Sequence, residues 1–290
     1  MKRLKKGLAL GLAVLMLLSL TACGSFETRM VRAATKMSKL ESLHADVTVD
    51  AQMSMALFGS STGLDLEMNA AVDGQKDPGL FGMELELSTL GVSREQLLYG
   101  EQLDDGWRIY SSDDGGRSWS SRESEGGGTG LDLSKLAVGD SLKTLRELAA
   151  TFSEAGEETI NGSTAVVYEG LIPREMIQKA VKESGVLDKL SESLEIQLDD
   201  SAVEEIGDVP VTIAVDKQSD MILRVTMDLS QAVGGLMGQV IGRIMAESEG
   251  GELIGGLGLE MKVESVRMSM EFSGFDSTAV EIPEQAREAA

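Results

Sequence analysis

The most definite chemistry in this sequence lies at Cys23, the only cysteine among 290 residues. It ends the tetrapeptide Leu20-Thr21-Ala22-Cys23, which follows a basic start and an apolar run over residues 8–18. These features are typical of a secretory signal, and the run is too short to span a bilayer. The order Leu, small, small, Cys is that of a bacterial lipobox, whose cysteine receives a diacylglyceryl group and an acyl chain such as palmitate. An ordinary signal peptide with a chance cysteine, or an uncleaved anchor, would explain the same residues.

The lipobox predicts how the chain is processed and where it is located. We expect a lipoprotein signal peptide over residues 1–22 and a single domain over residues 23–290, held by acylated Cys23 on the extracytoplasmic face of the bacterial cell membrane. Because lipid consumes the one thiol, the mature chain can form no internal disulfide and no Cys-based metal site. Its stability must come from apolar burial, for which 42% apolar residues suffice.

The charge balance excludes one class of partner. The chain has 26 Lys and Arg against 48 Asp and Glu, a net charge of −22. Residues 1–22 hold four basic residues and no acidic one, so their removal leaves −26. Such a chain repels phosphate backbones, and we therefore expect no binding to nucleic acid.

A nucleophilic serine is a much weaker candidate for chemistry. Gly139-Asp140-Ser141-Leu142 spells the nucleophile block of a hydrolase family, but that chemistry needs a downstream histidine, and the only histidine, His44, lies upstream. We interpret His44 as an exposed strand residue, and Asp104-Asp105 and Asp199-Asp200 as solvated loops without calcium-loop spacing. The sequence predicts a non-enzymatic monomer without a cofactor or metal.

The octapeptide Ser112-Asp113-Asp114-Gly115-Gly116-Arg117-Ser118-Trp119 resembles an Asp-box, the S-x-D-x-G-x-T-W hairpin of sialidase propellers, with serine in place of threonine. Here it occurs once. A single copy fastens a hairpin, because Asp114 and Ser112 can bond turn amides while Trp119 packs underneath. It predicts strands over residues 107–111 and 118–122 rather than a glycosidase.

The first element after the anchor is a predicted helix. Its apolar positions recur every three or four residues: Phe26, Met30, Ala33, Met37 and Leu40. Other faces of the helix carry four cations: Arg29, Arg32, Lys36 and Lys39. These cations either contact anionic lipid or form the solvated side of a helix that packs on the core.

From His44 the apolar period changes to two, which predicts half-buried antiparallel strands. The first strand covers residues 45–57, and the same alternation returns over residues 64–72 and 81–87. Residues 209–215 and 221–229 are expected to pair across the loop at 216–220. The last strand covers residues 257–272, and its phase slips at Glu264-Ser265, where we expect a bulge.

Helices and turns separate these strands. Helical spacing marks residues 142–152 and 172–190, the second with Pro173 in its first turn. Asn161-Gly162 is a strong two-residue hairpin signal, and the Gly-rich residues 123–130 predict a surface loop.

A Gly-rich helical insertion or lid is expected over residues 232–256. Gly234, Gly238, Gly242 and Ala246 are spaced four residues apart, so they share one flat face of the helix. Small residues at this spacing allow close backbone approach. The segment is either an interfacial lid or a helix packed closely on the sheet.

Nine methionines fall on the apolar phase of the predicted strands, whereas aromatic residues make up 4% of the chain. Methionine adapts to irregular apolar partners and is common on surfaces that bind variable ligands. A curved sheet lined in this way could hold acyl chains, or it could be a loosely specified core under the helices. The candidate ligand-lining residues are Val47, Val49, Met53, Met55, Met68, Met83, Leu85, Met227, Met261 and Met268.

The order of these features resembles the LolA/LprG/LppX-like bacterial lipoproteins. The resemblance rests on the lipobox, the entry Leu40-Glu41-Ser42-Leu43-His44 into a long strand, the Asn161-Gly162 hairpin, and the close Phe272-Ser273-Gly274-Phe275-Asp276. It implies an α+β fold in which a curved antiparallel sheet forms an incomplete β-barrel wrapped around helices. It also implies an apolar cavity for lipids or acyl chains. The Gly-spaced insertion departs from the family pattern at the cavity mouth.

The leading hypothesis is a membrane-anchored lipoprotein that binds or carries a lipid or acyl chain without catalysis. The alternative is a structural or interaction lipoprotein of the cell envelope, whose sheet packs its helices and takes no ligand.

Overall fold

The computed structural model describes residues 26–57, 60–125, 148–194, 196–198, 200–247 and 260–289. The lipobox cysteine, the Gly139-Asp140-Ser141-Leu142 block and Asp199 lie outside these ranges. So do residues 142–147 of the predicted helix 142–152, residues 248–256 of the predicted insertion and the first three residues of the predicted strand 257–272. Within the ranges, no helix is both long enough and apolar enough to cross a membrane.

Eleven strands and five helices make up the described fold. The strands are β1 Ser42–Leu57, β2 Ser60–Gln75, β3 Leu80–Thr89, β4 Val92–Leu103, β5 Gly106–Ser112, β6 Ser120–Glu125, β7 Ser153–Ile160, β8 Ser163–Ile172, β9 Val209–Asp216, β10 Ile222–Asp228 and β11 Glu260–Ser273. The helices are α1 Phe26–Met37, α2 Arg174–Glu183, α3 Val186–Leu194, α4 Ser230–Glu247 and α5 Glu284–Glu288, with a 3-10 turn over Asp200–Val203.

The strands form one open antiparallel sheet in the order β6-β5-β4-β3-β2-β1-β11-β10-β9-β8-β7. Two meanders, β1 to β6 and β7 to β11, are therefore joined at the middle, where β1 pairs with β11 from His44 to Ala56. The edge strands β6 and β7 stand at opposite ends of the order, so the sheet is not closed. The expected α+β fold with an incomplete antiparallel barrel is thus confirmed.

The predicted bulge in the last strand is present. Gln52 faces Ser265 while its neighbour Met53 faces Val263, so Glu264 is the extra residue in β11. An extra residue bends the strand and raises its twist. Because β1 and β11 join the two meanders, this bend lies at the centre of the sheet.

The Asn161-Gly162 hairpin between β7 and β8 also forms as predicted. Both residues have positive φ angles, 49° and 82°. A two-residue loop of type I′ requires positive φ at both central positions, which asparagine and glycine tolerate.

The segment predicted as one helix over residues 172–190 is two helices. Gly185 separates them with a φ of 68°, a left-handed conformation that ends α2. Pro173 is the residue that caps α2 rather than a member of its first turn. Residues 123–125, predicted as part of a loop, belong to β6, and residues 126–130 lie outside the described ranges.

Helices α1 to α4 all lie on one face of the sheet, called here the helix face. The core beneath α2, α3 and α4 consists of Leu187, Ala202, Val203, Ile206, Val209, Val211 and Ala232. A second core beneath α1 consists of Met30, Ala33, Val166, Tyr168 and Val215. Both cores cover strands β8 to β10, so the helices occupy one half of the helix face.

The opposite, outer face has its own small core at the other end of the sheet. Ala286 of α5 and Ile282 pack there against Tyr110, which is 1% exposed. Ile282 and α5 therefore pack on β4 and β5 from the outer face, opposite to α1 to α4.

Candidate functional site

The candidate site is the part of the helix face beyond the two buried cores, from β3 to β11; α4 contacts its border at β11, and Met227 of β10 packs against the core beneath α2 to α4. Cross-strand pairing shows that its side chains form continuous rows. Met68 lies opposite Val49, Val49 opposite Met268, and Met268 opposite Met227. In the next row, Leu85 lies opposite Ala70 and Ala70 opposite Val47. At the far end, Met53 faces Val263 and Met55 faces Met261.

The register places all ten predicted ligand-lining residues on this one face, and Met270 with them. We call this set the open apolar face; its members are Val47, Val49, Met53, Met55, Met68, Met83, Leu85, Met227, Met261, Met268 and Met270. Each row crosses several strands, and neighbouring strands lie about 4.8 Å apart. The sheet therefore presents a broad apolar surface.

The large side chains of the open apolar face are incompletely buried. Met55 is 41% exposed, and the other ten are half-buried. Around this set, the same face also carries buried side chains: Ala51 and Ala70 are 8% and 9% exposed, Val266 is 5% exposed, and Leu43, Phe81 and Phe272 are each 8% exposed. Among the described residues, none of the four buried clusters includes a residue of β1 or β2. A close-packed interior would bury such side chains fully, so the described elements do not pack closely on most of the open apolar face.

Helix α4 stands at the margin of the open apolar face. Its first residue, Ser230, donates its hydroxyl proton to Asp228 and accepts the amide of Val266 in β11 at 2.9 Å. The hydroxyl and amide of Ser230 lower the pKa of Asp228 by stabilising its ionised form. These contacts fix the start of α4 to the sheet.

Of the two alternatives for the Gly-spaced segment, a helix packed closely on the sheet would require continuous contact along its Gly-spaced face, and α4 does not make that contact. An added Cβ at Gly238 or Gly242 would meet no described atom within 4 Å, and one at Gly234 would lie 3.7 Å from Val263. The close approach is instead at Gly235, where an added Cβ would lie 2.6 Å from the backbone oxygen of Glu205. The glycine that close packing requires is thus Gly235, which does not belong to the predicted Gly-spaced face.

This difference predicts opposite effects of two substitutions on the same helix. Gly238→Ala should raise the free energy of unfolding by about 0.4–1 kcal/mol, because alanine favours the helix and nothing obstructs its methyl group. Gly235→Ala should lower it by about 1–3 kcal/mol, because a backbone oxygen must move. Urea denaturation of both variants measures the difference, and equal effects would contradict the packing described for α4.

The outer face carries charged groups that largely pair with one another. A cleft of about 480 Å³ is lined by residues of β7 to β11. Arg224 within it donates to Glu158 at 3.1 Å and to Glu271 at 2.8 Å. The exposed acids Asp104, Asp105 and Asp200 join no group of three metal-ligating side chains in the described part of the chain.

The sequence predicted that His44 is an exposed strand residue, but its side chain is partly buried and paired. Its side chain is 28% exposed and lies on the outer face between two carboxylates, with Nδ1 2.7 Å from Asp73 and Nε2 3.2 Å from Asp46. Burial lowers the pKa of His44, but the hydrogen bond to Asp73 and the charges of Asp46 and Asp73 outweigh burial and raise it above its usual value. The register that brings Asp73 opposite His44 is the cause.

The raised pKa of His44 predicts a pH-dependent stability. Protonated His44 stabilises the fold below its unfolded pKa of about 6.5, and this contribution disappears as pH rises through the folded pKa. It should amount to about 0.2–1 kcal/mol, the range for partly exposed ion pairs. Urea denaturation at pH 6 and pH 9 should show a larger loss for the natural chain than for His44→Gln, and parallel pH profiles would contradict the pairing.

The Asp-box hairpin forms between β5 and β6 as predicted. Asp114 accepts the amides of Arg117 at 3.0 Å and Ser118 at 2.9 Å, and the hydroxyl of Ser112 at 2.8 Å. The Ser118 hydroxyl and amide, together with Ser112, lower the pKa of Asp114 to about 2. Trp119 packs against Tyr99 with ring centres 5.9 Å apart. The motif therefore fastens a turn, with its tryptophan on the outer face.

Comparison with known proteins gives low similarities. No family model and no curated protein matches the chain. The lipoprotein LppX of Mycobacterium tuberculosis is 15% identical, with a TM-score of 0.41 over 88% of this chain and 96% of that chain. LprF of Mycobacterium bovis is 13% identical, with a TM-score of 0.38 over 90% and 96%. A LolA superfamily protein of Nitrosomonas europaea is 9% identical, with a TM-score of 0.14 over 91% and 97%.

The incomplete barrel of this chain is shown by its own strand order, with β1 and β11 at the centre and unpaired edges at β6 and β7.

Proposed function

We propose that this protein is a membrane-anchored extracytoplasmic lipoprotein that binds or carries a lipid or acyl chain on the open apolar face, without catalysis. The observation that carries the proposal is the half-burial of large, flexible apolar side chains beside a helical core. The side chains of Met68, Met83 and Met268 remain partly exposed to solvent, although they lie on the same face of the sheet as the fully buried Val215. Methionine side chains adjust to ligands of irregular shape, and acyl chains are such ligands.

Burial of this surface would stabilise a complex. Apolar surface removed from water contributes about 25 cal/mol per Å², so an acyl chain lying on several methionines gains affinity without any polar partner. The acylated Cys23 would hold the domain at the membrane, where such ligands are found. The alternative of a structural lipoprotein requires that the same face be closed and take no ligand.

The two tryptophans provide a test, because they lie on opposite faces. Trp107 packs against Phe81 on the helix face, with ring centres 5.5 Å apart, whereas Trp119 lies on the outer face. Fatty acids that carry bromine on the acyl chain quench tryptophan fluorescence at close range. Addition of brominated palmitate should therefore quench Trp107 and spare Trp119.

Two matched variants separate the signals. Trp119→Phe leaves Trp107 as the fluorophore and should be quenched, whereas Trp107→Phe leaves Trp119 and should not. Saturable quenching of the first variant alone supports binding on the helix face. Absence of quenching in both variants, or equal quenching of both, would refute it.

A further inference from the structure

Three cations of α1 converge on a single carboxylate. Nε of Arg29 lies 3.7 Å from Asp220, Nε of Arg32 lies 3.5 Å from it, and Nζ of Lys36 lies 3.8 Å from it. Lys36 also donates to the backbone oxygen of Ser219. We call Arg29, Arg32, Lys36 and Asp220 the basic cluster.

The basic cluster carries more positive charge than its partners neutralise. Arg29 is the innermost member, with a side chain 13% exposed, and its buried Nε and Nη1 have no hydrogen-bond partner among the described residues. Buried N–H groups without an acceptor are unfavourable, and the ion pair of Arg29 with Asp220 at 3.7 Å is too long to be a hydrogen bond. The cluster therefore lacks an acceptor, which an anion would supply.

Helix α1 and the turn between β9 and β10 together fix the geometry of the basic cluster. Residues 29, 32 and 36 lie three and four positions apart, which places them on one side of α1, while Met30 and Ala33 are buried against the sheet. Asp220 has a φ of 56° in the tight β9–β10 turn, and its amide donates to the backbone oxygen of Asp216 at 3.0 Å. Arg32 and Lys36 remain 49% and 47% exposed, so the cluster opens to solvent.

The cluster is also close to the proposed anchor. Two residues, Gly24 and Ser25, lie between Cys23 and Phe26, so Phe26 is at most about 10 Å along the chain from Cys23. Measured along the axis of α1, Arg29 lies about 5 Å and Lys36 about 15 Å beyond Phe26. If Cys23 is acylated, which the proposed function assumes, the cluster lies within a short distance of the bilayer surface, on a chain whose overall charge is strongly negative.

We propose that the basic cluster binds the phosphate of an anionic phospholipid headgroup in the anchoring membrane. Arginine guanidinium groups match phosphate oxygens in a bidentate geometry, and the half-exposed Arg32 and Lys36 are the cations that a headgroup reaches from solvent. This contact orients the domain on its anchor with the side of α1 that carries the cluster toward the lipid. It does not depend on ligand binding at the open apolar face.

The test uses the full chain in nonionic detergent, titrated with dihexanoyl phosphatidylglycerol, dihexanoyl phosphatidylcholine and inorganic phosphate. The variant Arg32→Gln/Lys36→Gln removes two half-exposed cations of the cluster. The matched control Lys179→Gln/Lys189→Gln removes two exposed cations from α2 and α3. Phosphatidylglycerol should bind at least fivefold more weakly to the cluster variant than to the control, while phosphatidylcholine binding should be equal in both.

The titrations distinguish lipid binding at the basic cluster from lipid binding at the open apolar face. Binding at the open apolar face alone would treat the two lipids alike, because their acyl chains are the same. Equal affinity for both lipids, or no loss in the cluster variant, would overturn the headgroup proposal. Inorganic phosphate that binds as tightly as phosphatidylglycerol would assign the cluster to free phosphate and equally overturn it.

Discussion

Cys23→Ala should move the protein from the membrane fraction to the soluble fraction, or arrest it as an uncleaved precursor. The lipobox requires the cysteine thiol for acylation, and the single cysteine leaves no substitute. Fractionation of cells followed by mass measurement of the protein gives the result. The effect should be nearly complete, because one acylated residue provides the whole proposed anchor.

The conservative replacement Thr21→Ser provides the control, since it keeps a small residue before the cut and keeps the thiol. It should remain in the membrane fraction with the mass of the lipidated mature chain. Mature, membrane-bound protein in the Cys23→Ala variant would contradict lipid anchoring.

Leu85→Trp should leave the free energy of unfolding nearly unchanged. Leu85 is half-buried on the open apolar face, where Ala70 and Gln96 lie opposite it on the neighbouring strands. An indole ring has room there because no described helix packs on this half of the sheet. In a close-packed core the same substitution would cost about 1–3 kcal/mol through overpacking.

Val215→Trp is the matched control in the closed half of the same face. Val215 is 0% exposed beneath α1, so this variant should lose about 1–3 kcal/mol or more. Urea denaturation compares the two. A Leu85→Trp variant as destabilised as Val215→Trp would show that the open apolar face is a packed core, and it would favour the structural alternative.

Local patterns in the sequence predict most of the elements. Alternation at Val47 and Val49 identifies β1, Asn161-Gly162 identifies the β7–β8 turn, and the phase slip at Glu264 identifies the bulge. Each of these signals arises within a few neighbouring residues, because side chains alternate along a strand and turn geometry demands particular residue types.

Contacts between distant segments were not predictable in the same way. The pairing of β1 with β11 joins His44 to Ser273, and nothing in either segment specifies its partner. The carboxylate beside His44 comes from the neighbouring strand, and the carboxylate beside Arg29 comes from a turn far along the chain. The helical pattern over residues 172–190 concealed the break at Gly185, since one glycine is tolerated in a helix until its φ is known.

The candidate site likewise has one aspect that local sequence predicts and one that depends on distant contacts. Strand alternation was sufficient to place the ten predicted residues on one face, because the period of two determines which side each residue faces. Whether that face is covered depends on where α1 to α4 pack, and composition alone left the two possibilities equal. The two buried cores show which part of the face α1 to α4 cover.

The most direct test of the central claim is native mass spectrometry of the soluble Cys23→Ala protein, with extraction and identification of any noncovalent lipid. The proposed function predicts a lipid adduct on the intact protein, and a marked fall in that adduct when Leu85→Trp is added, because the ring occupies space that acyl chains would fill. A protein without noncovalent lipid in either form, together with a destabilised Leu85→Trp variant, would contradict the claim that the open apolar face binds lipid.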